Sequence, residues 1–205
     1  MVDPLRGRDE AREPDRVRAF FALALAPPAR AAASALARSL RERPGGDAVR
    51  WVRAESLHVT LRFLGMVARE RVAELVACVA AETGRIAPLR LQLAAARLFP
   101  SPRRPRVVAL GIEPEAPLLA LATAVERGVR TAGFAPEPRR FRPHLTLGRI
   151  PPRAGFPRVT AADTPTADAF DVHEVLLLRS DLQPDGARYT AIDRVALGQA
   201  SGRAS

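Results

Sequence analysis

The chain has 205 residues, of which 47% are hydrophobic and 26% charged, and its formal net charge is +10. That length buries a sizeable core as one domain or as two small lobes, and the balance is ordinary for a soluble globular protein. Every basic residue is Arg; with no Lys in the chain, a Walker-type phosphate loop, lysine-linked nucleotide transfer and Schiff-base chemistry are all excluded.

In chain order, the charged stretch 1–16, with Pro4 and Pro14, is expected to be a loose tail. Arg18–Leu25 reads as a strand. The Ala-rich stretch Pro28–Arg41 reads as a helix, closed by Pro44, Gly45 and Gly46. Val49–Arg53 is a short extended piece. Leu57–Leu64 is a strand ending at Gly65. Glu70–Glu82 is helical, with Val72, Leu75, Val76 and Val79 on one face. Leu89–Leu98 alternates as a strand does, a Pro-rich turn covers Phe99–Pro105, and Arg106–Ile112 is the next strand. Ala116–Thr131 is a third helix, stopped by Gly133. His144–Ile150 is a strand, and Pro151–Pro165 is too rich in Pro and Gly for regular structure. Ala169–Arg179 and Ala187–Leu197 are two strands joined by the turn Gln183–Gly186. The expected fold class is α+β, with mostly antiparallel strands.

The charge has two readings, a solvated Arg-rich surface or a polyanionic partner such as RNA, and charge alone does not separate them. No apolar run reaches membrane-spanning length. Met1–Arg18 lacks the pattern of a secretory signal, and the lone Cys78 gives no intramolecular disulfide. The expected compartment is the cytoplasm.

The chain contains an internal echo. Leu57-His58-Val59-Thr60-Leu61-Arg62-Phe63-Leu64-Gly65 parallels Pro143-His144-Leu145-Thr146-Leu147-Gly148-Arg149-Ile150. Each follows a strand and a helix, which predicts two lobes about an approximate two-fold axis, each giving one strand to a shared cleft. Strand alternation puts His58 and Thr60 on one face and Val59 and Leu61 on the other; His144 and Thr146 are placed likewise. Two imidazoles and two hydroxyls then surround one pocket.

That set suits phosphodiester cleavage. One neutral and one protonated imidazole serve as base and acid near neutral pH, and Thr hydroxyls donate to the phosphate oxygens. Two His are also possible metal ligands, but neither has a carboxylate or Cys at ligand spacing, and HExxH and CxxC are absent. His173 has no Thr partner and is read as structural.

The chain resembles the two-histidine (2H) phosphoesterase superfamily, and within it the bacterial and archaeal RNA 2′,3′-cyclic phosphodiesterases, historically called 2′–5′ RNA ligases. The resemblance runs from about Arg18 to Leu197. It rests on the two His-x-Thr segments, Arg18–Leu23, Arg50-Trp51-Val52, Phe99-Pro100 with Pro105-Arg106-Val107, Gly133-Phe134, Phe141-Arg142-Pro143 and Gly186–Tyr189. It implies a bilobal fold in which two mostly antiparallel sheets flank a central cleft with helices outside. One such domain would span residues 17–198, with a tail at 199–205. It implies metal-independent hydrolysis of 2′,3′-cyclic ends to 2′-phosphates. The expected partners are RNA with such ends or cyclic nucleotides, with no cofactor and no membrane, and the expected state is a monomer.

The resemblance carries catalysis onto His58 and His144 and phosphate contacts onto Thr60 and Thr146. His144 is the expected base and His58 the expected acid. It also places a base-contacting aromatic and an Arg near Phe20-Phe21 and Arg149. One of the two Phe packs in the core and the other meets the base. Phe21 and Arg149 are assigned as the base sandwich, with a bulge at Gly148 returning Arg149 to the cleft. Arg62, on the His58 face by strict alternation, is the weaker candidate for phosphate. The alternatives are an RNA-end or nucleotide binding module without turnover, and weak reversible 2′–5′ ligation.

Overall fold

The computed structural model describes residues 15–160, 162–183 and 186–198. Residues 1–14 of the expected N-terminal tail, the C-terminal tail 199–205, and Pro184 and Asp185 of the expected turn lie outside the described residues.

The first strand, β1 (Arg16–Ala24), starts with alternating burial and is buried without a break from Ala19 to Leu23. Ala19, Phe21 and Leu23 pack in the main core and Phe20 and Ala22 in a second apolar cluster with Leu176 and Leu178, so both of its faces are covered, and Arg16 of the expected tail already belongs to it. The helix α1 (Pro27–Arg41) has Pro at its first positions, where a missing N–H costs nothing. Its buried stripe is Ala29, Ala33, Ala37 and Leu40, and the small residues let it lie close to a sheet. Arg38 and Arg41 face the negative end of its dipole.

There follow β2 (Arg50–Trp51), β3 (His58–Ala68), α2 (Val72–Thr83), β4 (Leu89–Phe99) and β5 (Val107–Glu113). The chain continues through α3 (Glu115–Thr131), β6 (Leu145–Arg149), β7 (Phe170–Val172), β8 (Glu174–Gln183) and β9 (Gly186–Ala196). The strands form two sheets, ordered β3-β1-β8-β9 and β2-β6-β5-β4-β7. All described pairings are antiparallel.

Two expectations shift. β3 does not end at Gly65; it runs on to Ala68, because Gly65 takes φ +75° and the register slips past Leu64. The single strand expected over Ala169–Arg179 is two. β7 pairs with β4 in one sheet, β8 pairs with β1 and β9 in the other, and His173 marks the crossing.

The helices lock the lobes together. α1 follows β1 of the four-stranded sheet yet packs on β4 and β6 of the five-stranded one. α3 follows β5 of the five-stranded sheet yet packs on β3, and its neighbour α2 on β9. α2 and α3 touch backbone to backbone at Gly128, where a Cβ would lie 2.6 Å from the Val79 Cα. One continuous core, from Phe21 and Leu23 through Leu121 and Val125 to Leu145 and Leu147, joins both lobes.

The irregular stretch from Ile150 to Ala169 is pinned by Asp163. Its carboxylate accepts from the Arg43 guanidinium (3.0 Å from Nη1) and from the Thr160 amide (2.7 Å). Arg43 and Thr160 together hold its pKa down at about 2. Among the described residues no helix is long and apolar enough to cross a membrane.

Candidate active site

The two His-x-Thr segments face the cleft as the alternation requires. His58, Thr60, His144 and Thr146 are half-buried, while Val59, Leu61, Leu145 and Leu147 are in the core. Each histidine is fixed in the same way. The Nδ1–H of His58 donates to the Ser56 carbonyl at 2.7 Å, and that of His144 to the Arg142 carbonyl at 2.8 Å. A carbonyl only accepts, so both Nδ1 atoms carry the proton and Nε2 is the working nitrogen. The Nε2 of neutral His58 then accepts from the Thr60 hydroxyl at 3.0 Å. Among the described residues the Nε2 of His144 has no protein hydrogen-bond partner.

Both imidazoles titrate below the ordinary 6.5. For His58 the first cause is burial, then the charges of Arg149 and His144; the Ser56 carbonyl opposes them. For His144 it is burial, then Arg142, Arg97 and Arg149, opposed by the Arg142 carbonyl. The two rings share the field of Arg149, and His58 feels His144.

The two strands are interrupted at the same point. Thr60 pairs with Ala22 and Arg62 with Phe21, so Leu61 is an extra residue in β3. Thr146 pairs with Ala109 and Gly148 with Val108, so Leu147 is extra in β6. An extra residue flips the alternation of the residues after it. The fifth residue after each histidine, Phe63 or Arg149, therefore returns to the cleft face. Arg149 stands where its bulge was expected to put it.

The matching bulge in β3 corrects Arg62. It leaves the cleft face, is 9% exposed, and binds Glu126 (Nε to Oε2, 2.5 Å) and Glu137 (3.5 Å), with the Phe63 and Ala135 carbonyls as further acceptors. Its donors are engaged by these groups and not by the cleft. Phe21 is also corrected: it is 0% exposed and belongs to the main core. Its neighbour Phe20 takes the cleft face, with its ring 5.0 Å from that of His58.

An aromatic wall beside His58 was not foreseen from the sequence. Phe20 meets Phe63 (5.7 Å) and Tyr189 (5.1 Å), and Tyr189 stands edge-on to His58 at 4.9 Å. Phe20 is almost wholly covered, whereas Phe63 is 46% exposed. The signal for Phe63 was present, since it follows His58 by the interval that separates Arg149 from His144. The stack at His144 was equally unforeseen. Phe99 lies parallel to its ring at 4.5 Å, and the Arg142 guanidinium lies 4.5 Å over Phe99. Alternation along β4 put Arg97 and Phe99 on one face, which was the available hint. His173 sits between β7 and β8, its carbonyl accepting from the Leu197 amide. Among the described residues no group of three or more His, Cys, Asp or Glu gathers as a metal-binding cluster.

The arrangement holds two proton-exchanging groups, two hydroxyls and a guanidinium around one cleft with an aromatic wall. That inventory can bind an anion and move a proton on each side of it.

Comparison with known proteins agrees with this architecture. The RNA 2′,3′-cyclic phosphodiesterase of Archaeoglobus fulgidus is 32% identical over 154 residues, covering 73% of this chain and 85% of its own. That of Methanothermobacter thermautotrophicus is 31% identical over 183 residues, covering 87% and 97%. Among solved structures, TT0787 of Thermus thermophilus superposes with a TM-score of 0.74 at 29% identity, covering 89% of this chain and 98% of its own. LigT of E. coli complexed with 3′-AMP gives 0.73 at 29%, covering 90% and 100%. The sequence model of the LigT-like phosphoesterases matches twice in succession, over residues 23–109 and 110–189, one match for each lobe's His-x-Thr strand. The chain belongs to the LigT-like phosphoesterase family.

Proposed function

We propose that the chain hydrolyses RNA 2′,3′-cyclic phosphate ends to 2′-phosphates, with His144 as base, His58 as acid and no metal. The observation that carries this reading is the matched pair of imidazoles, each oriented by a carbonyl two residues back and each beside a Thr. Relatives named for this activity, and a solved relative with 3′-AMP, support the substrate class.

The reaction runs as an in-line exchange. Water attacks phosphorus as the Nε2 of His144 takes its proton. The P–O3′ bond breaks, its electron pair stays on O3′, and O3′ takes the proton of His58. Thr60 and Thr146 donate to the non-bridging oxygens as their charge grows. The Nε2 of His144, which has no partner among the described residues, suits the base, because none of their groups competes with water for it. Binding the anionic phosphate offsets the burial and the Arg149 charge, and so restores the proton that His58 needs.

Phe63 and Arg149, at equivalent positions on the two bulged strands, hold the terminal base between an aromatic and a guanidinium face. The setting of this activity is a cytoplasmic monomer. The test is hydrolysis of a 2′,3′-cyclic nucleotide in excess chelator, with the product isomer identified. A 2′-phosphate formed at an undiminished rate is expected. Chelator-sensitive turnover restored by a divalent ion, or binding without turnover, contradicts the proposal.

A further inference from the structure

The two halves of the cleft share one scaffold and have opposite chemistry. In the His58 half, the row beside Thr60 runs to Ala22 and Leu176, and the row beside Phe63 runs to Phe20 and Leu178. In the His144 half, the matching rows run from Thr146 to Ala109 and Arg97, and from Arg149 to Val107 and Phe99. Leu176 is thus replaced by Arg97, and Leu178 by Phe99 with Arg142 stacked on it. Two copies of one unit that differ in this way are fitted to a ligand that is itself lopsided, apolar at one end and anionic at the other.

The anionic end has a place to go. A cavity of about 260 Å³ opens beside the His144 stack, lined by Arg97, Arg140, Arg142 and Phe99. Phe99 lines this cavity and stacks on the catalytic ring, so the cavity adjoins the reaction centre. Among the described residues Arg97, Arg140 and Arg142 form no ion pair, whereas Arg43, Arg62, Arg127 and Arg179 each have a carboxylate. The one acid in the lining is Glu115. The turn after Phe99, closed by the Arg106 amide on the Phe99 carbonyl at 2.8 Å, adds exposed Arg103 and Arg104 at this end. The volume suits a phosphate and part of a sugar better than a nucleoside. Three guanidinium groups with one carboxylate leave a net positive site whose charge a phosphodiester would partly offset.

We propose that the Arg97–Arg140–Arg142 cavity is a second phosphate site, holding the internucleotide phosphodiester on the 5′ side of the terminal nucleotide. The inference rests on the proposed function and narrows it: the substrate is a strand of RNA, and a cyclic mononucleotide fills only half of the binding surface.

The test compares a cyclic mononucleotide with a five-nucleotide RNA carrying the same 2′,3′-cyclic end, at two salt concentrations. For the unaltered protein, the RNA should show at least a roughly tenfold lower KM and a steeper salt dependence. Arg140→Ala should raise KM for the RNA about tenfold and reduce the salt slope by about one, and should leave the mononucleotide kinetics unchanged. Glu115→Gln should act in the opposite direction on the RNA alone. Fluorescence anisotropy of the same RNA ending in a 2′-phosphate reads the site in the absence of turnover. Equal losses on both substrates, or no change on RNA in either variant, would overturn the second site. Failure of the unaltered protein to open either substrate would instead overturn the proposed function, and the anisotropy arm would still judge the cavity.

Discussion

Phe20 and Phe21 are adjacent in sequence and serve different ends. Phe21 is a core residue with no exposure, so Phe21→Ala should cost about 3–5 kcal/mol of stability, read by denaturant unfolding. Phe63 is the exposed ring of the aromatic wall. Phe63→Ala should raise KM about five- to a hundred-fold with kcat nearly unchanged, as expected for one lost base stack. A stability loss with KM untouched would reduce Phe63 to packing. The histidines give a second expectation. Burial and nearby guanidinium charge disfavour both imidazolium forms, so each proton leaves at lower pH than from a free ring. In the proposed mechanism the reactive enzyme carries one proton on the pair. The kcat/KM profile, which reports the free enzyme, should therefore peak on the acid side of about 6.5, the free-ring value. Bound phosphate favours imidazolium, so the kcat profile should lie to its alkaline side. A kcat/KM maximum above about pH 7 would contradict this electrostatic description.

At the scale of elements, the bulges in β3 and β6 decide which side chains face the cleft. Alternation alone placed His58, Thr60, His144 and Thr146, because these lie before the extra residue. It misplaced Arg62, which lies just after Leu61. Gly148 flagged the bulge in β6, but β3 has no Gly at the matching position; Arg62 stands there. β1 defeated the choice between Phe20 and Phe21 for another reason: each of its faces packs on an apolar cluster, so its pattern has no polar side to read. Arg62 has become a strut. It ties β3 to Glu126 of α3 and to Glu137 and Ala135 in the segment leading to His144. Arg62→Met leaves two carboxylates facing a vacated charge. It should lower kcat on the order of ten- to a hundred-fold, because a small shift between acid and base is costly, while KM is spared. Arg62→Lys should recover part of the rate. A rise in KM with kcat spared would return Arg62 to a phosphate contact, and a loss of stability alone would remove it from the site.

At the scale of the molecule, the internal echo made the two-lobe plan legible, since a repeated strand with one polar face needs a second copy to close a pocket. The exchange of helices between sheets was not legible, nor was the division of the expected Ala169–Arg179 strand between them. Periodicity records which face of a segment is buried and not which sheet buries it. The interlocked lobes share one core, so the two histidines are held at a fixed separation by packing that neither lobe provides alone. The mechanism requires His58 and His144 to act as one acid–base unit. The most direct measurement is the turnover of a 2′,3′-cyclic phosphate by His58→Ala, by His144→Ala and by the double variant, each checked for folding by thermal melting. Each single variant should lose nearly all activity, and the double should be little worse than either, because removing one half of a unit leaves the other without work. A folded single variant with near wild-type turnover, or a double variant whose loss is the product of the two single losses, would contradict the paired mechanism.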